Sequence, residues 1–112
     1  MAESKIRSGG EYTSYFNSHD CIVIIRNGRA CQLNYNNTTI NLQPGWRELT
    51  EIVPVGYRPI YEDGVRHACF CGKDRNIPCL MHITANGSIL LYNTSDQLQV
   101  GVYGASVMYM AK

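Results

Sequence analysis

Two Asn-Gly pairs, each lying between stretches rich in apolar residues, constrain the fold of this chain more than any other feature. The first pair is Asn27 and Gly28, and the second is Asn86 and Gly87. Both residue types accept positive φ angles, so each pair predicts a type I′ turn that joins two antiparallel strands. No stretch shows an apolar repeat of 3.6 residues over three turns, so we expect almost no helix. The sequence therefore predicts an all-β protein.

Turn residues recur about every 8 to 12 positions, which is typical of an antiparallel β-sandwich or barrel with seven or eight short strands. A further turn is predicted at Asn36 and Asn37. Gly101 and Gly104 interrupt the last predicted strand, where we expect a bend or a bulge. The first predicted strand, residues 21–26, is apolar on both faces and is predicted to be central in the sheet. The predicted strands are residues 21–26, 29–35, 39–42, 46–53, 65–71, 79–85, 88–92 and 98–110.

Length and charge limit the possible functions. The 112 residues are enough for one domain with a single core. Residues 1–20 lack periodicity, so we predict a flexible or connecting segment there and a β-sandwich domain at residues 21–112. The net charge is only +1, and the chain has no long basic run, which argues against nucleic-acid binding. The first twenty residues are polar, so we expect no secretory signal, and the longest aliphatic run, residues 22–25, is too short for membrane insertion.

Residues 46–59 predict a strand that runs into a rigid corner. Pro54 ends the strand pairing, and Pro59 forces Arg58 into an extended conformation. Gly56 can adopt the positive φ that turns the chain between the two prolines. We expect Tyr57 to tuck its ring beneath this loop and Arg58 to bond backbone carbonyls. These five residues are therefore interpreted as architecture.

This corner, followed by the Asn86-Gly87 hairpin and a strand ending at Tyr92, resembles the C-terminal receptor-binding head domain of bacteriophage tail-fibre and baseplate proteins. The resemblance covers about residues 21–112 and implies a jelly-roll-like β-sandwich that assembles as a homotrimer. It also implies attachment to a host cell-surface polysaccharide or protein receptor, contacts with other virion tail proteins, synthesis in the bacterial cytoplasm and a final location at the virion tail tip or fibre. No cofactor is expected.

Candidate ligand-binding residues come from the loops and the aromatic side chains, because recognition is commonly built on loops held by a rigid scaffold. Tyrosine and tryptophan combine an apolar ring with a hydrogen-bonding group, as saccharide sites require. The sequence leaves open whether Trp46 lies in the core or forms an exposed stacking platform. The candidates are Trp46, Tyr61, Glu62, Asp63, Arg66, Lys73, Asp74, Arg75 and Asn76.

Other functions are weighed against adhesion. His67, Cys69, Cys71 and Cys79 form the one plausible metal-binding set, since alternate residues of a strand share a face. Ligands two apart are about 6.6 Å from each other, which suits one tetrahedral ion poorly, so no metal is predicted and the cysteines are interpreted as small buried residues. No catalytic motif is present, and enzyme activity is not expected. A trimeric structural or connector module without a ligand remains the second alternative.

Overall fold

In the computed structural model, residues 4–9, 12–17 and 21–111 are described, and every element of secondary structure among them is a β-strand. No helix in this part of the chain is long and apolar enough to cross a membrane. The nine strands, in chain order, are β1 Ser4–Gly9, β2 Tyr12–Asn17, β3 Ile22–Asn27, β4 Ala30–Leu42, β5 Gly45–Ile52, β6 Val65–Cys71, β7 Ile77–Ile83, β8 Ser88–Asn93 and β9 Gln99–Met110.

The strands form one antiparallel sheet in the order β1-β2-β3-β4-β9-β6-β7-β8-β5. From β3 onward its seven strands curl into a half-barrel. The predicted all-β antiparallel class is therefore confirmed. All nine strands belong to one sheet, and the half-barrel part bends around a concave face that carries buried apolar side chains.

The concave face holds the core. Strand residues alternate between the two faces, so in β8 Ile89 and Leu91 are fully buried while Leu90 and Tyr92 are only partly covered. All five cysteines carry free thiols and are buried, as predicted. β3, predicted to be central, pairs with both β2 and β4, but Ile25 on its outer face is exposed.

Both predicted hairpins exist, but neither has a type I′ turn, which needs positive φ at both central residues. In the first, Asn27 pairs with Ala30 and the loop is Gly28-Arg29. Gly28 has φ of +60°, whereas Arg29 is not in the left-handed region, and this pattern is that of a type II′ turn. In the second hairpin Gly87 alone has positive φ, +91°. The register therefore differs from the prediction because a lone glycine supplies the positive φ in each turn.

The turn predicted at Asn36 and Asn37 is wrong, because β4 continues through these residues to Leu42. β9 pairs with β4 along this length, and the register shifts between Tyr35 and Asn37 and again between Asn37 and Asn41. Bulges of this kind bend a strand without ending it. The irregularity predicted near Gly101 and Gly104 is confirmed by the same shifts. The bends in β4 and β9 therefore produce the curvature of the sheet.

Strand pairing extends toward the chain start. β1 pairs with β2, and β2 pairs with β3, both antiparallel. Residues 1–20 show no clear alternation of apolar and polar residue types, so these two strands are not predicted from the sequence. They lengthen the sheet beyond the half-barrel by backbone pairing.

The corner after β5 is closed by its own hydrogen bonds. The N–H of Tyr57 donates to the carbonyl of Pro54 at 3.0 Å, and Gly56 between them has φ of +98°. Arg58 Nε donates to the carbonyl of Val53 at 2.7 Å. The Tyr57 side chain is buried, with 5% of its surface exposed. These contacts brace the turn from both sides.

The corner is also attached to the end of the sheet. The buried hydroxyl of Tyr109 donates to the carbonyl of Tyr57 at 2.6 Å. Pro59 forms an isolated antiparallel bridge with Ala111. Arg26, on β3, donates from its guanidinium to the carbonyl of Gly56. The segment between β5 and β6 is therefore held by residues of β3 and of the C-terminal end of the chain.

Candidate functional site

Three ring side chains meet on the convex face of β5, β8 and β7. Trp46 lies opposite Tyr92 in the β5–β8 register, and their ring centroids are 4.8 Å apart with the planes tilted by 47°. The ring of His82 is 6.4 Å from that of Trp46, also tilted. Half of the Trp46 surface is exposed, which decides between the two positions left open by the sequence. We call Trp46, Tyr92 and His82 the aromatic platform.

Alternation and pairing together create this platform. Tyr92 and His82 project from the face opposite the buried Leu91 and Met81, and Leu80 lies beside Tyr92 in the β7–β8 register. Tilted ring pairs at these separations are favourable beyond the area that they bury. The platform is therefore a rigid apolar surface on regular strands.

His82 also links the platform to the turn before β6. Its Nε2 lies 2.8 Å from the carbonyl oxygen of Asp63. A carbonyl only accepts, so Nε2 carries the proton and donates. Gly64 closes the turn with φ of +74°, and a Cβ there would lie 2.1 Å from the carbonyl oxygen of Ile83. Only glycine lets this turn approach β7 so closely, and the approach orients the imidazole.

The structure brings three of the sequence-predicted residues to this region. Trp46 belongs to the platform, Asp63 contacts it through its backbone carbonyl, and Arg66 lies opposite His82 in the β6–β7 register. Tyr61 and Glu62 are exposed in the same turn. Tyr92 and His82 were missed, because their proximity to Trp46 depends on strand order.

A second surface lies where β6 pairs with β9. Phe70, with 54% of its surface exposed, faces Tyr103 in the β6–β9 register. The guanidinium carbon of Arg75 is 4.6 Å from the centre of the Tyr103 ring, a cation–π contact. These residues border an open groove of about 540 Å³, which we call the β6–β9 groove. Its lining is Asn36, Thr38, Phe70, Arg75, Tyr103 and Gly104.

The loop after β6 contributes one residue to this groove. Arg75 lines it, whereas Lys73, Asp74 and Asn76 are exposed and do not. The N–H of Arg75 donates to the carbonyl of Gly72 at 2.9 Å, and Arg75 has φ of +58°. Among the described non-glycine residues it alone has a positive φ. Phe70, Tyr103 and Asn36 were not predicted as site residues, although exposed aromatic positions on strands were a signal for two of them.

Polar side chains line a further recess between β4 and β5. It has a volume of about 220 Å³, and Asn37, Thr39, Arg47 and Glu51 are on its walls. Arg47 donates to the carbonyl of Asn41 at 2.5 Å, which ties β5 to the bent part of β4. Among its described lining residues none is an exposed aromatic side chain, so the recess offers hydrogen bonding without a stacking surface.

The cysteine-rich strand faces the core. Cys69 lies opposite Cys79, and a hydrogen bond between their thiols lowers the pKa of Cys69 and raises that of Cys79. Burial raises the pKa of Cys71 to about 11. His67 is exposed, whereas these thiols are buried. Within residues 21–111, no group of three or more His, Cys, Asp and Glu side chains is arranged to hold a metal ion.

No family model matches this chain, and no curated protein or solved structure matches it. The resemblance to phage head domains therefore rests on the corner and hairpin residues of the sequence. The function must be inferred from the geometry of the platform and the groove. Both surfaces combine exposed aromatic rings with hydrogen-bonding groups.

Proposed function

We propose that this chain is a saccharide-binding attachment domain, of the kind that tail-fibre and baseplate proteins of tailed bacteriophages use to bind the host surface. The observation that carries the proposal is the aromatic platform, where a half-exposed Trp46 lies on a rigid convex sheet beside Tyr92. An exposed, fixed indole lowers the solubility of the protein and adds little to the apolar area buried in the core. Its position is explained if a ligand covers it.

The chemistry of the platform suits a sugar ring. A pyranose has an apolar face of C–H groups, which packs on an aromatic ring, and hydroxyl groups around its edge, which need polar partners. Arg66 and Glu48 flank the platform in the row Arg66–His82–Leu90–Glu48 across the sheet. Both are exposed and provide charged hydrogen-bonding groups beside the rings. This combination supports stacking in the centre and hydrogen bonds at the rim.

Assembly belongs to the same proposal. A shallow platform of this size gives affinity of the order of millimolar, and several copies on one fibre raise the avidity about 100-fold or more. We therefore propose a homotrimer at the virion tail tip or fibre, joined to other tail proteins, with the jelly-roll-like packing that the resemblance implies. The partner is a host surface polysaccharide or a protein receptor that presents comparable chemistry.

The only tryptophan of the chain is in the platform, so intrinsic fluorescence reports directly on binding. Titration with cell-wall polysaccharides of candidate hosts should shift the Trp46 emission and protect it from acrylamide quenching. Retention on immobilised polysaccharide should be lost in Trp46→Ala. Val55→Ala is the matched control, since it removes an apolar side chain that is 80% exposed beyond the opposite end of β5.

Unchanged Trp46 emission with every polysaccharide tested, or equal retention of Trp46→Ala and the unmodified protein, would contradict the proposal. Mass measurement in solution tests the trimer separately. A stable monomer that still binds polysaccharide would refute the assembly and keep the attachment function.

A structural connector module is the second candidate function. It is favoured by exposed apolar side chains on the outer face of β3 and β9, where Ile25, Met108 and Met110 are 41%, 72% and 43% exposed. Such a surface is typical of protein contacts. A trimer that shows no response to any saccharide would favour this function over attachment.

A further inference from the structure

We propose that the β6–β9 groove binds a negatively charged group on a saccharide, a carboxylate or a phosphate, and so selects acidic glycans. This inference rests on the proposed saccharide-binding function and adds a second subsite to the aromatic platform. The groove has about 540 Å³, within the range of small-ligand sites. Among the described residues, its lining contains no Asp or Glu side chain and one charged side chain, that of Arg75.

The Arg75 guanidinium is available to a ligand. Its contact in the structure is the ring of Tyr103, and among the described residues no carboxylate pairs with it. A cation–π contact occupies no hydrogen-bond acceptor, so the N–H groups of the guanidinium can still donate to a ligand. These planar donors match the two oxygens of a carboxylate or phosphate. Arg75 is therefore an anion-binding group held in position by an aromatic ring.

The backbone around Arg75 is built to hold this position. The N–H of Gly72 donates to the carbonyl of Gly101 at 3.0 Å, and this bond anchors the loop on β9. The Tyr103 ring lies over Gly101, and a Cβ added at residue 101 would be 2.8 Å from the Cε2 and Oη atoms of Tyr103. Glycine at 101 thus permits the ring position, and the ring supports the guanidinium. The left-handed φ of Arg75 is the kind of local strain found at ligand-binding positions.

The remaining lining completes a sugar subsite. Asn36 Oδ1 accepts from the N–H of Gly104 at 3.2 Å, so its NH₂ group remains as a donor. Thr38 adds a hydroxyl, and Phe70 provides an exposed ring. A cation, two neutral polar groups and an apolar wall together suit a sugar ring that carries an oxyanion. A neutral sugar would leave the cation without a partner, so the groove discriminates by charge.

The test compares three polymers: a polyuronate, a poly(glycerol phosphate) and neutral dextran. Arg75→Gln removes the charge, and Lys73→Gln is the matched control, because Lys73 is in the same loop and does not line the groove. Calorimetry at low salt should show that Arg75→Gln lowers affinity for an anionic polymer about 10-fold or more, since a charged hydrogen bond is lost. Lys73→Gln should change it less than about 2-fold, and added salt should weaken binding of the unmodified protein.

A second variant separates folding from binding. Arg75→Gly suits a φ of +58°, so it should melt no lower than the unmodified protein and still lose affinity for the anionic polymer. The polymer that binds identifies the anion as carboxylate or phosphate. Equal affinity of Arg75→Gln and Lys73→Gln for both anionic polymers would overturn the subsite.

Failure of the subsite and failure of the attachment function give different results. If polysaccharide still changes Trp46 emission while Arg75→Gln binds as the control does, only the subsite is refuted. If no polysaccharide affects Trp46 but an anionic polymer binds through Arg75, the groove is an anion site and the platform is not a sugar site.

Discussion

Replacement of Gly87 by alanine would show how the corner and the β7–β8 hairpin hold each other. The N–H of Val53 donates to the carbonyl of Gly87 at 2.8 Å. A Cβ on residue 87 would lie 2.5 Å from the carbonyl oxygen of Val53 and 2.7 Å from Arg58 Nε. The same two groups form the hydrogen bond that braces the corner, at 2.7 Å. The added methyl group must therefore displace a backbone carbonyl.

Gly56→Ala is the matched control for this change. Gly56 and Gly87 have φ of +98° and +91°, and a Cβ at Gly56 meets no atom within 4 Å. The backbone cost of alanine at positive φ, about 1–2 kcal/mol, is therefore nearly the same in both variants, as is the effect on the unfolded chain. Overpacking adds about 1–3 kcal/mol at Gly87, and the weakened hydrogen bond adds about 1 kcal/mol.

Gly87→Ala should therefore be about 2–4 kcal/mol less stable than Gly56→Ala, measured as the difference in unfolding free energy by urea titration. For a domain of about 100 residues this difference lowers the melting temperature by roughly 10 °C or more. The two variants should share one m-value, since the surface exposed on unfolding is the same. If they unfold within about 0.5 kcal/mol of each other, close packing of the hairpin against the corner is not what requires glycine.

Three further predictions concern stability and reactivity. Burial raises the pKa of Tyr109, so the contribution of this residue to stability is full below about pH 10 and is lost as the pH rises above that value. Tyr109→Phe should therefore cost about 1 kcal/mol of unfolding free energy at pH 7, and it should reduce the loss of stability at alkaline pH measured by urea titration. Asn93→Ala should cost about 2–4 kcal/mol in the same assay, because the buried amide donates to the carbonyls of Leu42 and Gln97 at 2.9 and 2.8 Å. The five buried thiols, including Cys71 with its raised pKa, should react with a disulfide reagent only after denaturation; rapid labelling of the native protein would contradict their burial.

Part of the candidate site was accessible from the sequence. Trp46, Asp63 and Arg66 were chosen because turns and aromatic residues mark recognition surfaces, and the structure places all three around one histidine. That histidine, His82, and its neighbour Tyr92 were not chosen. Alternation shows which face of a strand a side chain occupies, but it does not show which strands are neighbours. The members of a site on a sheet are therefore hard to assemble from sequence.

The β6–β9 groove shows the same limit. Arg75 was a candidate as one member of a charged loop, with nothing to separate it from Lys73 or Asp74. Arg75 differs from these neighbours in its contact with the ring of Tyr103, which β9 brings beside the loop through pairing with β6. Contacts between residues so far apart in the chain depend on sheet order, which no local pattern specifies.

The sequence alone determined most strands from β3 onward, the positions of the two hairpins and the corner, because these depend on short-range preferences: alternation along a strand, positive φ at glycine and the restricted φ of proline. The tertiary structure decided the turn types, the continuation of β4 through Asn36, the curl into a half-barrel and the meeting of Trp46 with Tyr92. These features arise when bulges in β4 and β9 let one sheet bend over its own apolar face. Burial of that face is a property of the whole sheet, so it becomes visible only when all strands are in place.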